Sequence, residues 1–226
     1  MTTSALTSTS VTAERSATKS RMAVLAVVLG ITAIVVIPAG VIWPEPAGGG
    51  ETYSYADIAD QRGLWWGLLT FLAIIAVVGT ILQAVATMFL VRHRGSTWAT
   101  VGAVLMGIGI VAQGVGVAGW ATAYFFPTDP DVDPAAGQAV FEAVNDNIGY
   151  IFAVMLSGAL LALIGQVLQA VGLFRAKVVP TWVPVASLFA VLTFVVPGNG
   201  LLGLITAIPM SAAGMALGWY AYRSAS

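Results

Sequence analysis

The heptapeptide GTILQAV at residues 79–85 recurs, with two substitutions, as GQVLQAV at residues 165–171. In both copies a glutamine lies inside an otherwise apolar run. A short basic loop and a Thr-Trp pair follow each copy, as RHRGSTW at 92–98 and RAKVVPTW at 175–182. Because the similarity extends past the apolar run into the next segment, it predicts two helical hairpins in the same orientation, a parallel internal repeat.

The composition places these hairpins in a membrane. Hydrophobic residues make up 58% of the chain and charged residues 8%, whereas about a quarter of the residues in soluble domains are charged. A helix needs ~20 mostly apolar residues to cross ~30 Å of hydrocarbon. The uncharged stretches of that length are 22–43, 64–91, 98–126, 149–174, 181–197 and 201–222. The sequence therefore predicts an all-α, polytopic membrane protein, a bundle of six transmembrane helices in which spans 2–3 and 4–5 form the repeat.

The charges predict the orientation of this bundle. With the N-terminus inside, all nine Lys and Arg residues except Arg62 are cytoplasmic, and all ten acids except Glu14 are external. Cytoplasmic loops retain positive charge, so both termini are predicted to be cytoplasmic. All seven Trp lie near predicted span ends, where an indole ring prefers the headgroup level. The high Ala, Gly and Val content indicates a bacterium and therefore its inner membrane.

The chain divides into three parts on this reading. Residues 1–21 are rich in Ser and Thr and predict a disordered cytoplasmic tail, 22–222 form the transmembrane domain, and 223–226 are the cytoplasmic C-terminus. A cleaved signal peptide is the alternative for the first segment. The apolar run 22–43 is longer than the ~7–15 residues of a signal-peptide core and a Trp follows it, which favours the tail.

Small residues accompany the repeated glutamines on one face of each helix. In span 4 the stripe consists of Gly158, Ala162, Gly165, Gln169 and Gly172, and in span 2 of Ala76, Gly79, Gln83 and Ala86. Span 3 has a further stripe at Gly102, Gly109 and Gly116 and a second at Gly107, Gly114 and Ala121. Small residues at this spacing let helix backbones approach closely in lipid.

Gln83 and Gln169 are therefore predicted to face protein. As interhelical clasps, each would contribute ~0.6–2 kcal/mol. The alternative is that the two amides line a ligand site at a pseudo-twofold axis. Gln113 in span 3 and Gln166 in span 4 are further candidates for interhelical or ligand contacts.

Catalytic chemistry is absent from the predicted spans. They contain no Asp, Glu, Lys, Arg or His, the residues that mark proton relays and ion coupling. The chain has no Cys, and its one histidine, His93, lies in a basic loop. We predict no catalytic residue, no cofactor and no metal site.

The external loops carry two local signals. DPDVDP at 129–134 begins like a calcium loop, but Pro134 and Val140 stand where an EF-hand needs Gly and Glu. Asp133 and Pro134 instead predict the start of a short amphipathic helix over 134–147. SYAD at 54–57 predicts a capping box and another short helix before span 2.

The stretch LFRAKVVPTWVPVASL at 173–188 resembles part of a bacterial family of six-span membrane proteins of unknown function. In that family the fourth span likewise ends in a basic turn followed by a proline and an aromatic residue, and the order of spans and loops is similar. The resemblance implies the six-span layout and no particular activity.

These observations favour a non-enzymatic accessory protein that binds lipid, another membrane protein or a second copy of itself through glycine-rich faces, and no nucleic acid. The main alternative is a small-molecule carrier or the substrate-binding subunit of a transporter. In size and layout the chain looks like the six-span substrate subunits of vitamin transporters, although the parallel repeat argues against them. An intramembrane enzyme that uses the external acids is the third reading. A carrier predicts an enclosed polar or aromatic cavity between the repeats, whereas an accessory protein predicts a filled core and one conspicuous lipid-facing groove or small-residue patch.

Overall fold

The structure, a computed structural model, describes residues 3–42, 52–194 and 200–225, and these residues form helices and short connections without any strand. The prediction of an all-helical chain is confirmed. The helices are α1 Thr3–Val41, α2 Tyr55–Ala59, α3 Arg62–Leu90, α4 Ser96–Phe125, α5 Pro134–Asp146, α6 Ile148–Ala176, α7 Trp182–Ser187 and α8 Gly200–Ser224. Single 3-10 segments follow α4, at Phe126–Thr128, and α7, at Leu188–Phe194.

Within the described ranges, five helices are long and apolar enough to cross a membrane. They are Glu14–Pro38, Arg62–Leu90, Ser96–Thr128, Ile148–Ala176 and Gly203–Ser224. The fifth predicted span, 181–197, corresponds to a shorter apolar helix at Trp182–Thr193, and its last residues lie outside the described part. The count of six spans therefore stays a prediction.

The first helix differs from the predicted disordered tail, because α1 begins at Thr3. The segment between Thr3 and Arg21 contains neither Gly nor Pro. Nothing in it removes a backbone donor or adds backbone freedom, so the apolar helix can continue back through these polar residues. The described side chains of this segment, from Glu14 onward, are mostly exposed.

The most extensive helix contact joins α4 and α6, and glycines form its centre. An added Cβ at Gly102 would lie 2.6 Å from the carbonyl oxygen of Gly165, too close for any side chain. The facing pairs are Gly95 with Gly172, Gly102 with Gly165, and Gly109 with Gly158. Each step of seven residues along α4 therefore matches a step of seven back along α6. The two helices are antiparallel, with their backbones in direct contact.

Helices α1 and α8 form the second large contact. Gly218, near the end of α8, packs on Ala26, near the start of the apolar part of α1. Further along α1, Thr32 and Val36 share a cavity wall with Ala207 and Ser211, which precede Gly218 in α8. The order of these contacts makes α8 antiparallel to α1. Helix α3 packs beside both, with Gly79 against the side chain of Thr32.

Short helices and aromatic residues close one end of the bundle, which we term the cap end. The capping box is confirmed, because the Ser54 and Asp57 side chains each accept from the other's backbone N–H at the start of α2. The predicted helix at 134–147 is confirmed as α5, which ends at Asp146 and begins with the Asp133 carboxylate accepting from two backbone N–H groups.

Trp65 forms the centre of the cap end rather than a headgroup contact. Its side chain is 0% exposed, whereas Trp98, Trp182 and Trp219 are exposed as an interfacial ring should be. The rings around it are those of Tyr53, Trp120 and Tyr124. Trp65 lies near the start of α3, close to a span end as predicted, but it packs in a core cluster with Tyr53 and with Ile58 of α2 rather than standing exposed. Trp43 lies outside the described residues.

The two predicted hairpins have unequal second arms. The first pairs α3 with α4, a helix of 30 residues. The second pairs α6 with α7, a helix of 6 residues continued by a 3-10 segment. The structure does not confirm the repeat, although the first arms, α3 and α6, both have 29 residues.

Candidate functional site

Three of the four candidate glutamines meet where α3 packs on α6. The Gln83 amide nitrogen donates to the Gln166 side-chain oxygen at 2.9 Å. One turn along, the Gln169 amide nitrogen donates to the backbone carbonyl of Ala84 at 3.4 Å. Gln166 and Gln169 are 8% and 1% exposed. Both contacts join one helix to the other, which is the geometry of an interhelical clasp.

The Gln169 side chain is closely packed by protein, whereas Gln83 also borders a small cavity between α1, α3 and α8. The Gln169 side chain packs against Gly102 so closely that an added Cβ there would lie 2.8 Å from its Cγ. Its amide oxygen is buried without a hydrogen-bond partner, as is the hydroxyl of Thr87 nearby on α3. Gln83 and Gln169 occupy the same position in the two copies of the heptapeptide, but they make different contacts. Gln83 bonds to the side chain of Gln166, whereas Gln169 bonds to the backbone carbonyl of Ala84.

A double-mutant cycle tests the clasp. Gln83→Leu and Gln166→Leu should each destabilise the protein, because each leaves a polar amide without its partner. The double variant should lose less free energy of unfolding than the sum of the two single losses. The difference, the coupling energy, should be ~0.6–1.7 kcal/mol, measured by unfolding in denaturing detergent.

Gln113→Leu is the control for this cycle, since Gln113 lies on α4, whereas the Gln83 amide bonds to Gln166 on α6. A Gln83→Leu, Gln113→Leu double variant should lose as much free energy of unfolding as the two single variants lose together. Unchanged stability in the Gln83 and Gln166 variants, together with loss of a co-purifying ligand, would contradict the clasp and favour a ligand site.

A small cavity of ≈ 190 Å³ between α1, α3 and α8 has several polar side chains in its wall. Thr32, Thr80, Gln83 and Ser211 contribute to its wall. The Thr32 hydroxyl is already bonded to the carbonyl of Leu29 within its own helix. Pockets for small molecules occupy ~300–1,000 Å³. This cavity is below that range and is not the enclosed chamber expected of a carrier.

A second feature is an apolar groove of ≈ 430 Å³ between α3 and α4, which we term the α3–α4 groove. Its walls are Trp66, Leu69, Thr70, Ala73, Ile74, Val77 and Val78 of α3, and Val111, Gly114, Val115, Ala118 and Ala121 of α4. Between Trp66 and Val78 a helix rises ~18 Å. The groove exists because small residues line α4, and at its floor an added Cβ at Gly114 would lie 3.2 Å from Val77.

Gln113, the fourth candidate glutamine, lies beside this groove rather than with the other three. It lines a cavity of ≈ 200 Å³ that shares Ala73, Val77 and Gly114 with the groove. The small-residue stripe Gly107, Gly114 and Ala121 was the sequence feature that pointed to this part of α4, and Gly114 and Ala121 line the groove. What the sequence could not supply is the identity of the helix facing that stripe.

An aromatic and charged group stands where the groove reaches the cap end. The rings of Trp66 and Phe125 lie 4.6 Å apart between centroids. The Arg62 guanidinium stacks over Phe125 at 3.9 Å and forms an ion pair with Asp129 at 2.5 Å. Arg62 precedes Trp66 by four residues and Phe125 follows Ala121 by four, so both continue the walls of the groove by one helical turn.

The acidic loop after α4 uses its carboxylates locally. Asp129 also accepts from the backbone N–H of Asp131, and Asp133 caps α5. Among the described residues no group of three or more His, Cys, Asp or Glu side chains could hold a metal ion.

The structure thus defines a class, an all-helical chain with five span-length apolar helices, a glycine-packed helix pair and an apolar surface groove with a charged end. Comparison with protein-family models, curated proteins and solved structures finds no match. The α3–α4 groove and the glycine-mediated helix packing are the features of the chain that bear on its function.

Proposed function

We propose that this chain is a non-enzymatic integral membrane protein of the bacterial inner membrane, an accessory helix bundle that binds a membrane lipid. The observation that carries the proposal is the α3–α4 groove, whose walls are apolar except for Thr70, and the Thr70 hydroxyl donates to the carbonyl of Trp66 within its own helix. In the hydrocarbon layer such a groove is in contact with acyl chains. Its ~18 Å length is close to the ~15 Å thickness of one leaflet, half of a ~30 Å core.

The packing of the glycines favours lipid over a protein partner. The stripes at Gly102, Gly109, Gly158 and Gly165 face each other within the chain. They are used by the fold, so they are not available to another protein or a second copy. The stripe that remains at the surface is the one that lines the groove.

A carrier is less well supported by the same geometry. The cavity with the most polar side chains is small, and Gln83 in its wall is bonded to Gln166. The core around Gln169 is filled rather than hollow. A substrate-binding role for Gln83, Gln166 and Gln169 would require these contacts to open.

Six crossings with both termini cytoplasmic form part of the proposal. Because α8 is antiparallel to α1, a chain that enters α1 from the cytoplasm also ends α8 there. Helix α6, antiparallel to α4, ends on that same side. The connection that follows Lys177 then crosses back in this proposal, with Trp182–Thr193 as its described helical part. The positive charges of the predicted cytoplasmic loops agree with this orientation.

Photo-cross-linking locates the lipid. A phospholipid with a diazirine in its acyl chain is incorporated with the protein into nanodiscs, and the labelled peptides are sequenced. We expect labelling to concentrate on 66–78 and 111–121, because a chain held in the groove stays within reach of both walls. The exposed side of α6, with Leu156, Leu160 and Ile164, is the internal control. Equal labelling of that side and the groove would contradict a specific lipid site.

A further inference from the structure

The charged residues at one end of the groove indicate the class of lipid headgroup that it binds. We propose that the Arg62–Asp129 pair is the headgroup site of a zwitterionic phospholipid, with the phosphate against Arg62, the ammonium against Asp129 and one acyl chain in the α3–α4 groove. This inference rests on the proposed function and goes beyond it by specifying the headgroup.

The position of Arg62 is that of a headgroup contact. Helix α3 has 29 residues and is therefore ~44 Å long, which exceeds the ~30 Å hydrocarbon core and matches the ~40–45 Å that includes the headgroup layers. Arg62 is its first residue. The walls below it, beginning at Trp66, are apolar apart from Thr70, whose hydroxyl is bonded within its own helix. A phospholipid has the same arrangement as this end of the groove, because its charged phosphate lies above an apolar acyl chain.

Arg62 and Asp129 both retain capacity for a ligand. A guanidinium has five N–H donors, and the two described hydrogen bonds of Arg62 go to Asp129 and to the carbonyl of Phe125. The Arg62 and Asp129 side chains are 24% and 36% exposed. Stacking on Phe125 holds the guanidinium plane in place. Arginine in a fixed orientation suits the bidentate recognition of phosphate.

The charge balance at this end favours a zwitterion over an anionic headgroup. In the described cap-end segments 54–62 and 126–146, Arg62 is the one Lys or Arg, whereas the acids are Asp57, Asp60, Asp129, Asp131, Asp133, Glu142 and Asp146. The phosphate of an anionic headgroup such as that of phosphatidylglycerol has no compensating cation, so the net negative charge of that headgroup would be repelled by these carboxylates. An ammonium next to the phosphate would be attracted by them, and its charge pair would align head to tail with Arg62 and Asp129.

Binding of three lipids with identical acyl chains tests the inference: phosphatidylethanolamine, phosphatidylglycerol and diacylglycerol. Native mass spectrometry of the full chain in mild detergent measures the lipid retained. We expect phosphatidylethanolamine to be retained about tenfold more than diacylglycerol, because charge-assisted bonds to Arg62 are lost with the phosphate. Phosphatidylglycerol should be intermediate. Inorganic phosphate at millimolar concentration should not displace the lipid, since the chain in the groove is part of the site.

Two variants separate recognition from a structural role of the ion pair. Arg62→Gln should abolish the preference for phosphatidylethanolamine over diacylglycerol while leaving diacylglycerol retention unchanged. Asp129→Asn, which breaks the same ion pair, should keep the preference over diacylglycerol and reduce the preference over phosphatidylglycerol. If both variants have the same effect on all three lipids, the pair is structural and the inference is overturned.

The outcomes distinguish the headgroup inference from the proposed function. Equal retention of phosphatidylethanolamine and diacylglycerol by the wild type would overturn the headgroup site and leave the groove as a lipid site. Retention of none of the three lipids would overturn both. Displacement by inorganic phosphate alone would identify an anion site and also contradict the inference.

Discussion

Replacing Gly109 by Ala should lower the free energy of unfolding by about 1–3 kcal/mol, although only one carbon atom is added. The new Cβ would lie 2.6 Å from the carbonyl oxygen of Gly158 and still nearer to the backbone nitrogen of Ala162. Both obstacles are backbone atoms of α6, so no side-chain rotation can relieve the contact. The helices would have to separate along the whole glycine seam.

Gly107→Ala is the matched control, because it lies on the same helix and an added Cβ would meet no neighbouring atom within 4 Å. Both substitutions gain ~0.5–1 kcal/mol of helix propensity, so this contribution cancels between them. Gly107→Ala should therefore be neutral or stabilising in the same denaturing-detergent titration. Equal stability of the two variants would show that α4 and α6 do not pack through Gly109.

The helical architecture was predictable from local sequence. Apolar runs between charged segments predicted the long helices. The Ser54 and Asp133 caps predicted the short helices α2 and α5, because a cap acts within a few residues. Thr3–Arg21 shows the limit of composition. Ser and Thr suggested disorder there, yet the absence of Gly and Pro leaves the backbone free to extend the neighbouring helix.

Pairing between helices was harder to predict than the helices themselves. The small-residue stripes of spans 3 and 4 were visible, but a stripe does not identify the helix that faces it. Their common spacing of seven residues, at Gly102 and Gly109 on one helix and Gly158 and Gly165 on the other, was the available signal. The glutamines were predicted to face protein, yet the bond from Gln83 to Gln166 depends on the rotation of α6.

The groove could not be predicted, because it is a gap left by two helices rather than a property of either. Arg62 stood out in the sequence as the single cation on the predicted outer side. Its closeness to Phe125 and Asp129 depends on how α4 continues into the following loop.

Filling the groove should remove the bound lipid. Ala118 lies in the groove wall and is exposed, so Ala118→Leu adds three carbon atoms where the acyl chain should lie without overpacking the core. Hydrophobic transfer hardly contributes here, because lipid outside the groove is equally apolar. The loss is in packing, on the order of ten atomic contacts of ~0.1–0.2 kcal/mol each, or ~1–2 kcal/mol. Retention should fall about tenfold.

Ala153→Leu adds the same atoms at an exposed position of α6 away from the groove and is the control. The decisive measurement is the fraction of protein that retains one phospholipid, determined by native mass spectrometry for the wild type and these two variants. We predict loss of the lipid in Ala118→Leu, wild-type retention in Ala153→Leu and unchanged stability in both. Equal retention by all three proteins would contradict the claim that the α3–α4 groove binds a lipid.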